Sequence, residues 1–117
     1  MDRALERLLE DVRLGYLSAR RGLGAEGVDW ENVLSLGEQQ RLGMARLFFH
    51  RPRFAVLDEC TNAVSVDVER GLYERAAYYG ITMVTITQRS GLVDFHTKEL
   101  RLLDGRGDWQ LFGINAK

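Results

Sequence analysis

Phe54-Ala55-Val56-Leu57-Asp58-Glu59 decides how this chain folds: four apolar residues run without interruption into two adjacent acids. A short continuous apolar run suits a strand buried inside an α/β sheet. Working outward, Ile81-Thr82-Met83-Val84-Thr85-Ile86-Thr87 is a second such run, rich in β-branched residues that pack well on a pleated surface. Between them Val68, Leu72, Ala76 and Tyr79 recur at helical spacing, and Gly80 stops the pattern. Strand, helix and strand in that order predict a parallel β-α-β unit with a right-handed crossover. Two buried parallel strands make a thin sheet, because such strands normally have neighbours on both sides. This is the first indication that part of the sheet is missing.

Upstream, the spacing predicts a helix from just after Leu34 to about His50, since Pro52 cannot continue it. Further back, Leu5, Leu8, Leu9, Val12 and Tyr16 form an apolar stripe among Arg3, Glu6, Arg7, Glu10 and Arg13, predicting an amphipathic helix from residue 2 to about 18. The stretch from Arg20 to Gly27 breaks that pattern and reads as a flexible connection. Downstream, residues 99–103 and 109–114 flank Asp104-Gly105-Arg106-Gly107-Asp108 and read as an antiparallel hairpin.

The composition narrows the possible classes. A chain of 117 residues is one domain or a piece of one. Its net charge of -1 supplies no electrostatic reason to expect nucleic acid or an anionic membrane as partner. A single cysteine excludes an internal disulfide. No stretch approaches the roughly 20 continuous apolar residues of a membrane span, so the chain as given is expected to be soluble or peripheral.

Two places in the sequence carry chemistry. Ser35-Leu36-Gly37-Glu38 opens the second helix and fits a capping box, in which Ser35 caps the helix and Glu38 bonds back to the Ser35 backbone. The same helix end, approached closely at Gly37, presents backbone donors and a positive dipole end to an anion such as phosphate. Asp58 and Glu59 end a strand at the carboxyl edge of the sheet, where open α/β folds bind ligands. Adjacent acids there repel each other unless a cation or a reacting water uses them. The remaining candidates read plainly. His50 ends a helix, and His96 lacks acids or cysteines at ligand spacing. Cys60 has no identifiable base. Trp30, Phe48, Phe49 and Trp109 suit core or subunit contacts.

Taken together, Leu34-Ser35-Leu36-Gly37-Glu38-Gln39-Gln40-Arg41-Leu42, then Ala45-Arg46, Pro52 and Phe54 to Glu59, resemble the signature helix and Walker B strand of ABC ATPases. The resemblance continues from about Trp30 to Ile114. It implies an α/β fold, a partial P-loop NTPase (ABC ATPase) fold with a parallel β-α-β core, an N-terminal helical segment and a C-terminal antiparallel hairpin. Residues 1–33 would be a helical-subdomain segment and linker. Residues 34–117 would hold the signature helix, Walker B strand, D-loop, switch strand and hairpin. Cys60 replaces the Pro usual in the D-loop, and with Val64 to Glu69 it makes the stretch look most like subfamily D, the peroxisomal fatty acyl-CoA importers.

In that family ATP is sandwiched between two domains facing head to tail. The resemblance therefore implies that Ser35, Gly37 and Glu38 serve the ATP of a partner domain. Asp58 would hold Mg²⁺ through water, Glu59 would polarise the attacking water, and Gln88 occupies the switch position. ATP and Mg²⁺ are the expected cofactors. The expected partners are a second nucleotide-binding domain and the transmembrane domain of a parent transporter, with no nucleic acid. The expected location is the peroxisomal membrane, with this domain facing the cytosol. Two departures stand out: Leu36 replaces the first signature Gly, and Gln88 replaces a His. Gln can donate a hydrogen bond but cannot become a cation near neutral pH, so slow turnover is expected at that site.

The sequence contains no G-x-x-x-x-G-K-[ST], and its two lysines, Lys98 and Lys117, follow no glycine-rich loop. The expectation is a piece of a longer protein, inactive alone. The alternatives are a DNA-repair or chromosome-maintenance ATPase head, which shares the motif order, and a non-catalytic interaction module derived from an ABC domain.

Overall fold

The computed structural model describes residues 3–17 and 34–115. The connection predicted at Arg20 to Gly27, and Trp30, lie outside the described residues. The two apolar runs form β1 (Phe54–Asp58) and β2 (Thr82–Ile86), paired in parallel from Phe54↔Thr82 to Asp58↔Ile86. The ladder continues at both ends, with the Thr82 amide donating to the Arg53 carbonyl at 2.8 Å and the Glu59 amide to the Ile86 carbonyl at 2.9 Å. The crossover between them is a single helix, α3 (Val66–Tyr78), which follows α1 (Arg3–Asp11) and α2 (Leu36–His50) in the chain.

Local chemistry explains the ends of α3. The Ser65 side chain accepts the Val68 amide, and Gly80 takes φ 73°. With Gly80 so placed, its amide reaches the Ala77 carbonyl at 3.0 Å and the Ile81 amide reaches Ala76 at 3.1 Å. These are the two bonds of a Schellman stop.

The expectation of two buried strands is corrected. Ala55 and Leu57 face a core shared with Met44, Ala45, Phe48, Leu72, Tyr73 and Ala76. The alternate residues Phe54, Val56, Val84 and Ile86 are exposed. Among the described residues the helices cover one face of this sheet, so apolar residues on both faces of the strands leave one face bare.

The N-terminal helix is also shorter than its stripe. It stops at Asp11 because Arg13 adopts φ 60°, the Arg13 amide bonds Glu10 at 3.0 Å, and the Leu14 amide bonds Leu9 at 2.7 Å. This Schellman stop has Arg where Gly is usual. Leu9 and Leu14, the two residues such a stop brings together, are both buried. Burial of Leu14 and Leu17 therefore replaces the predicted continuation through Tyr16, which is exposed. The Arg41 guanidinium caps the carbonyl of Arg13 at 3.1 Å, tying this turn to α2.

After β2 a 3-10 helix (Ser90–Phe95) leads into β3 (Lys98–Leu102), which pairs antiparallel with β4 (Trp109–Gly113). The hairpin is as predicted to within a residue at each end. Leu100 opposes Leu111 and Leu102 opposes Trp109, yet all four are exposed. The Asn115 side chain fastens the end of the hairpin to the carbonyls of Val93 and His96.

Candidate nucleotide site

The parallel register brings Asp58, Glu59 and Gln88 to the carboxyl ends of neighbouring strands. Asp58 is the last residue of β1, opposite Ile86, and Gln88 stands two residues beyond that partner. Asp58 and Gln88 are exposed and Glu59 is half-buried. Glu59 has φ 53°. A non-glycine residue held there costs on the order of 1–2 kcal/mol, and such strained positions gather at functional sites. Its amide bond to Ile86 holds this backbone in place. Among the described residues no ion pair reaches Asp58 or Glu59.

That donor set suits Mg²⁺ in one form only. Among the described residues no group of three or more His, Cys, Asp or Glu is arranged to hold a metal by itself. Magnesium is commonly bound by one or two carboxylates together with substrate phosphates and water. Two hard oxygen acids at an open strand end, with no cation of the described residues paired to them, fit a metal that arrives with a nucleotide.

At the other end, Ser35 caps α2 as the sequence predicts. Its hydroxyl accepts the Glu38 amide at 3.1 Å, and the Glu38 carboxylate accepts the Ser35 amide at 2.9 Å. Glu38 also takes the Tyr16 hydroxyl, which holds that phenol above its usual range. Glu38 is thus committed to the cap and to Tyr16. Leu36 projects into solvent, 61 % exposed.

Gly37 has a role the sequence does not show. A Cβ built there would stand 2.9 Å from the carbonyl oxygen of Ala63. The glycine lets the start of α2 sit directly on the loop that follows the acid pair. That loop, residues 60–65, is held by side chains that sequence reasoning missed as a group. Gln40 donates to the Glu59 carbonyl at 3.3 Å and to Asn62 Oδ1 at 2.6 Å, and accepts the Ala63 amide at 2.8 Å. Thr61 donates to Glu69 at 2.6 Å, and Arg89 binds Glu69 at 3.1 Å. Glu69 is 1 % exposed. The available signal was Glu69 itself, an acid sharing the helical face of Leu72, Tyr73 and Ala76, which demands a partner cation.

The remaining candidates have structural places. His96 bonds Thr85 through Nε2 at 2.7 Å and the Leu92 carbonyl through Nδ1 at 2.7 Å, so both ring nitrogens are engaged. The carbonyl can only accept, which places the proton on Nδ1. Burial pushes the Cys60 thiol up, leaving it protonated at neutral pH. His50 is the exposed last residue of α2. Phe48 is in the core, whereas Phe49 and Trp109 are exposed.

A β-α-β unit with an acid pair at its carboxyl edge, a capped helix packed on the following loop, and a C-terminal hairpin are consistent with part of an ABC-type ATPase fold. The model of the family described as ABC transporter matches residues 1–62, and the chain belongs to that family. It is 58 % identical to ABC transporter D family member 1 of Arabidopsis thaliana over 115 residues, 97 % of this chain and 9 % of that protein. It is 47 % identical to the human ATP-binding cassette sub-family D member 3 over 109 residues, 93 % of this chain and 16 % of that protein. It is 41 % identical to the human lysosomal cobalamin transporter ABCD4 over 118 residues, 99 % of this chain and 19 % of that protein. The chain thus spans between about a tenth and a fifth of the length of these curated relatives. Among the described residues no helix is long and apolar enough to cross a membrane.

Proposed function

We propose that this chain is the signature-to-switch part of a subfamily D transporter's nucleotide-binding domain, and that it couples ATP hydrolysis to transport of fatty acids or their CoA esters into peroxisomes. The observation that carries the first part is the convergence of Asp58, Glu59 and Gln88 at one sheet edge, on a strained and pinned backbone. Asp58 would hold Mg²⁺, through water. Glu59 takes up the proton of the attacking water, a contribution of roughly 10²–10⁴-fold in rate for a positioned base. Gln88 donates a hydrogen bond to the terminal phosphate without adding a charge. Bound Mg²⁺ supplies neutralisation of the charge that develops on the phosphate oxygens. Ser35, Gly37 and Glu38, the last through its capping box with Ser35, serve the ATP of a second domain docked head to tail, and the parent's transmembrane domain receives the motion.

The longer transporter that contains this stretch provides the test. Reconstituted in vesicles it hydrolyses ATP, and Glu59→Gln removes that activity by at least about a hundredfold. Gln88→His raises the rate; an unchanged rate would show that the missing imidazole does not limit turnover. The 117 residues alone, with no phosphate loop, show neither hydrolysis nor tight ATP binding by calorimetry.

The substrate reading leans on Cys60 and the Val64 to Glu69 pattern, and on higher identity to D family members 1 and 3 than to the relative named as a cobalamin transporter. Long-chain acyl-CoA is expected to stimulate the reconstituted ATPase. Stimulation by cobalamin in its place would overturn this assignment.

A further inference from the structure

Tyr16 stands 22 residues before Glu38, yet its hydroxyl donates to Oε2 of the Glu38 carboxylate. The turn that ends α1 delivers it there. Leu14 and Leu17, on either side of Tyr16, are buried. The Arg41 guanidinium donates to the Arg13 carbonyl at 3.1 Å, so α2 holds this turn independently of the phenol. Arg41 also lies beside the phenol and favours loss of its proton. The bond to Glu38 is the stronger influence and holds the phenol above its usual range, so Tyr16 remains a donor throughout neutral pH.

The carboxylate it meets closes the start of α2. Oε1 accepts the Ser35 amide at 2.9 Å, and the Ser35 hydroxyl accepts the Glu38 amide at 3.1 Å. Accepting an amide leaves the hydroxyl's own proton for donation, and a phosphate oxygen can take it. The box needs no phenol to close, because Ser35 and Glu38 satisfy each other reciprocally. What the box lacks is a remedy for its own charge. Backbone amides and the helix dipole attract a phosphate to this end, whereas a carboxylate in the first turn repels it. A hydroxyl on Oε2, with a guanidinium close by, draws that charge away from Ser35.

We propose that Tyr16 is a positioning residue for the signature end: its hydroxyl keeps the Glu38 carboxylate on the Ser35 amide and offsets its charge where the partner domain's phosphate meets Ser35. This rests on the functional reading above, in which Ser35, Gly37 and Glu38 serve the ATP of a second domain. Tyr16 acts through Glu38 and touches no nucleotide.

The test uses the full-length transporter in vesicles, with Tyr16→Phe, Glu38→Gln and the double variant. Tyr16→Phe retains the ring and removes one hydroxyl from an exposed position, so the fold is preserved. Its KM for MgATP is expected to rise about fivefold, less than the roughly tenfold worth of a hydrogen bond to a charged group, with kcat within about twofold. A raised KM at constant kcat marks lost ground-state binding. A merely structural role would reduce the active fraction, and so kcat, at unchanged KM. Glu38→Gln retains an acceptor for the Ser35 amide but has no charge to offset. In that background, adding Tyr16→Phe is expected to change KM by less than about twofold, because the phenol acts through the carboxylate. An unchanged KM in Tyr16→Phe would overturn the inference. So would a rise of about fivefold in the Glu38→Gln background, or a fall in kcat at unchanged KM. A wild-type transporter without ATP hydrolysis would overturn the functional reading first. A hydrolysing wild type with an unresponsive Tyr16→Phe would remove the positioning role alone.

Discussion

The loop at residues 59–65 and the hairpin of β3 and β4 invert the usual association of regular structure with fixity. The hairpin is regular, with five paired positions, yet Leu100, Leu102, Trp109 and Leu111 are all exposed. The loop has no strand or helix, yet Gln40, Thr61, Glu69 and Arg89 fasten it at several points. Backbone pairing makes a hairpin, but a two-stranded one is marginal without a covered apolar face. A satisfied buried polar network can instead give an irregular segment one shape. In this chain the irregular segment adjoins the acid pair.

Substitutions that separate the two regions should differ most at the buried ion pair. Glu69→Ala leaves the Arg89 guanidinium without its carboxylate and Thr61 without its acceptor. It is expected to destabilise the chain by about 3–5 kcal/mol, the usual cost of removing one partner of a buried pair. Leu102→Thr, on the bare side of the hairpin, should change stability by less than about 0.5 kcal/mol. Urea unfolding of both variants measures the gap, and equal losses would break the comparison.

Gly37→Ala is expected to come next, at about 1 kcal/mol. Overpacking against the Ala63 carbonyl costs roughly 1–3 kcal/mol, and the better helix propensity of Ala offsets up to about 1 of it. A stabilised Gly37→Ala would show that α2 does not rest on the loop. Ser35→Ala removes only the cap and should cost a similar ~1 kcal/mol, read from the shift in the same urea midpoint.

The smallest effect concerns Cys60. Its thiol is raised by burial, so the folded chain holds the proton more tightly than the unfolded one. The resulting stability is fully present below the unfolded pKa and is lost as pH rises through the folded value. Iodoacetamide should therefore alkylate Cys60 more slowly in the folded chain than in urea at pH 8, and raising the pH through the folded value should narrow the gap. Equal rates at pH 8 would mean that the loop does not shield the thiol.

Much of this architecture was legible from short-range patterns. Ser35 and Glu38 are three residues apart and Gly80 directly follows the α3 stripe, so both helix boundaries are local chemistry. The acid pair was legible because it ends an uninterrupted apolar run. The end of α1 was not, because Arg13 in a left-handed conformation obeys the burial of Leu9 and Leu14 and not its own preference. The bare sheet face was not legible either, since an apolar run looks the same whether one side or both are covered.

By itself the sequence determined the order of elements, the caps, and the presence of paired acids at the end of the first apolar run. These depend on neighbours within a few residues, where spacing alone dictates who meets whom. Only the tertiary structure decided that Gly37 lies on Ala63, that Gln40 reaches Asn62 across 22 residues, and that Arg89 reaches Asn62 across 27. Such contacts depend on how α2, α3 and β2 pack around one core, and side-chain spacing along the chain carries no record of that distance.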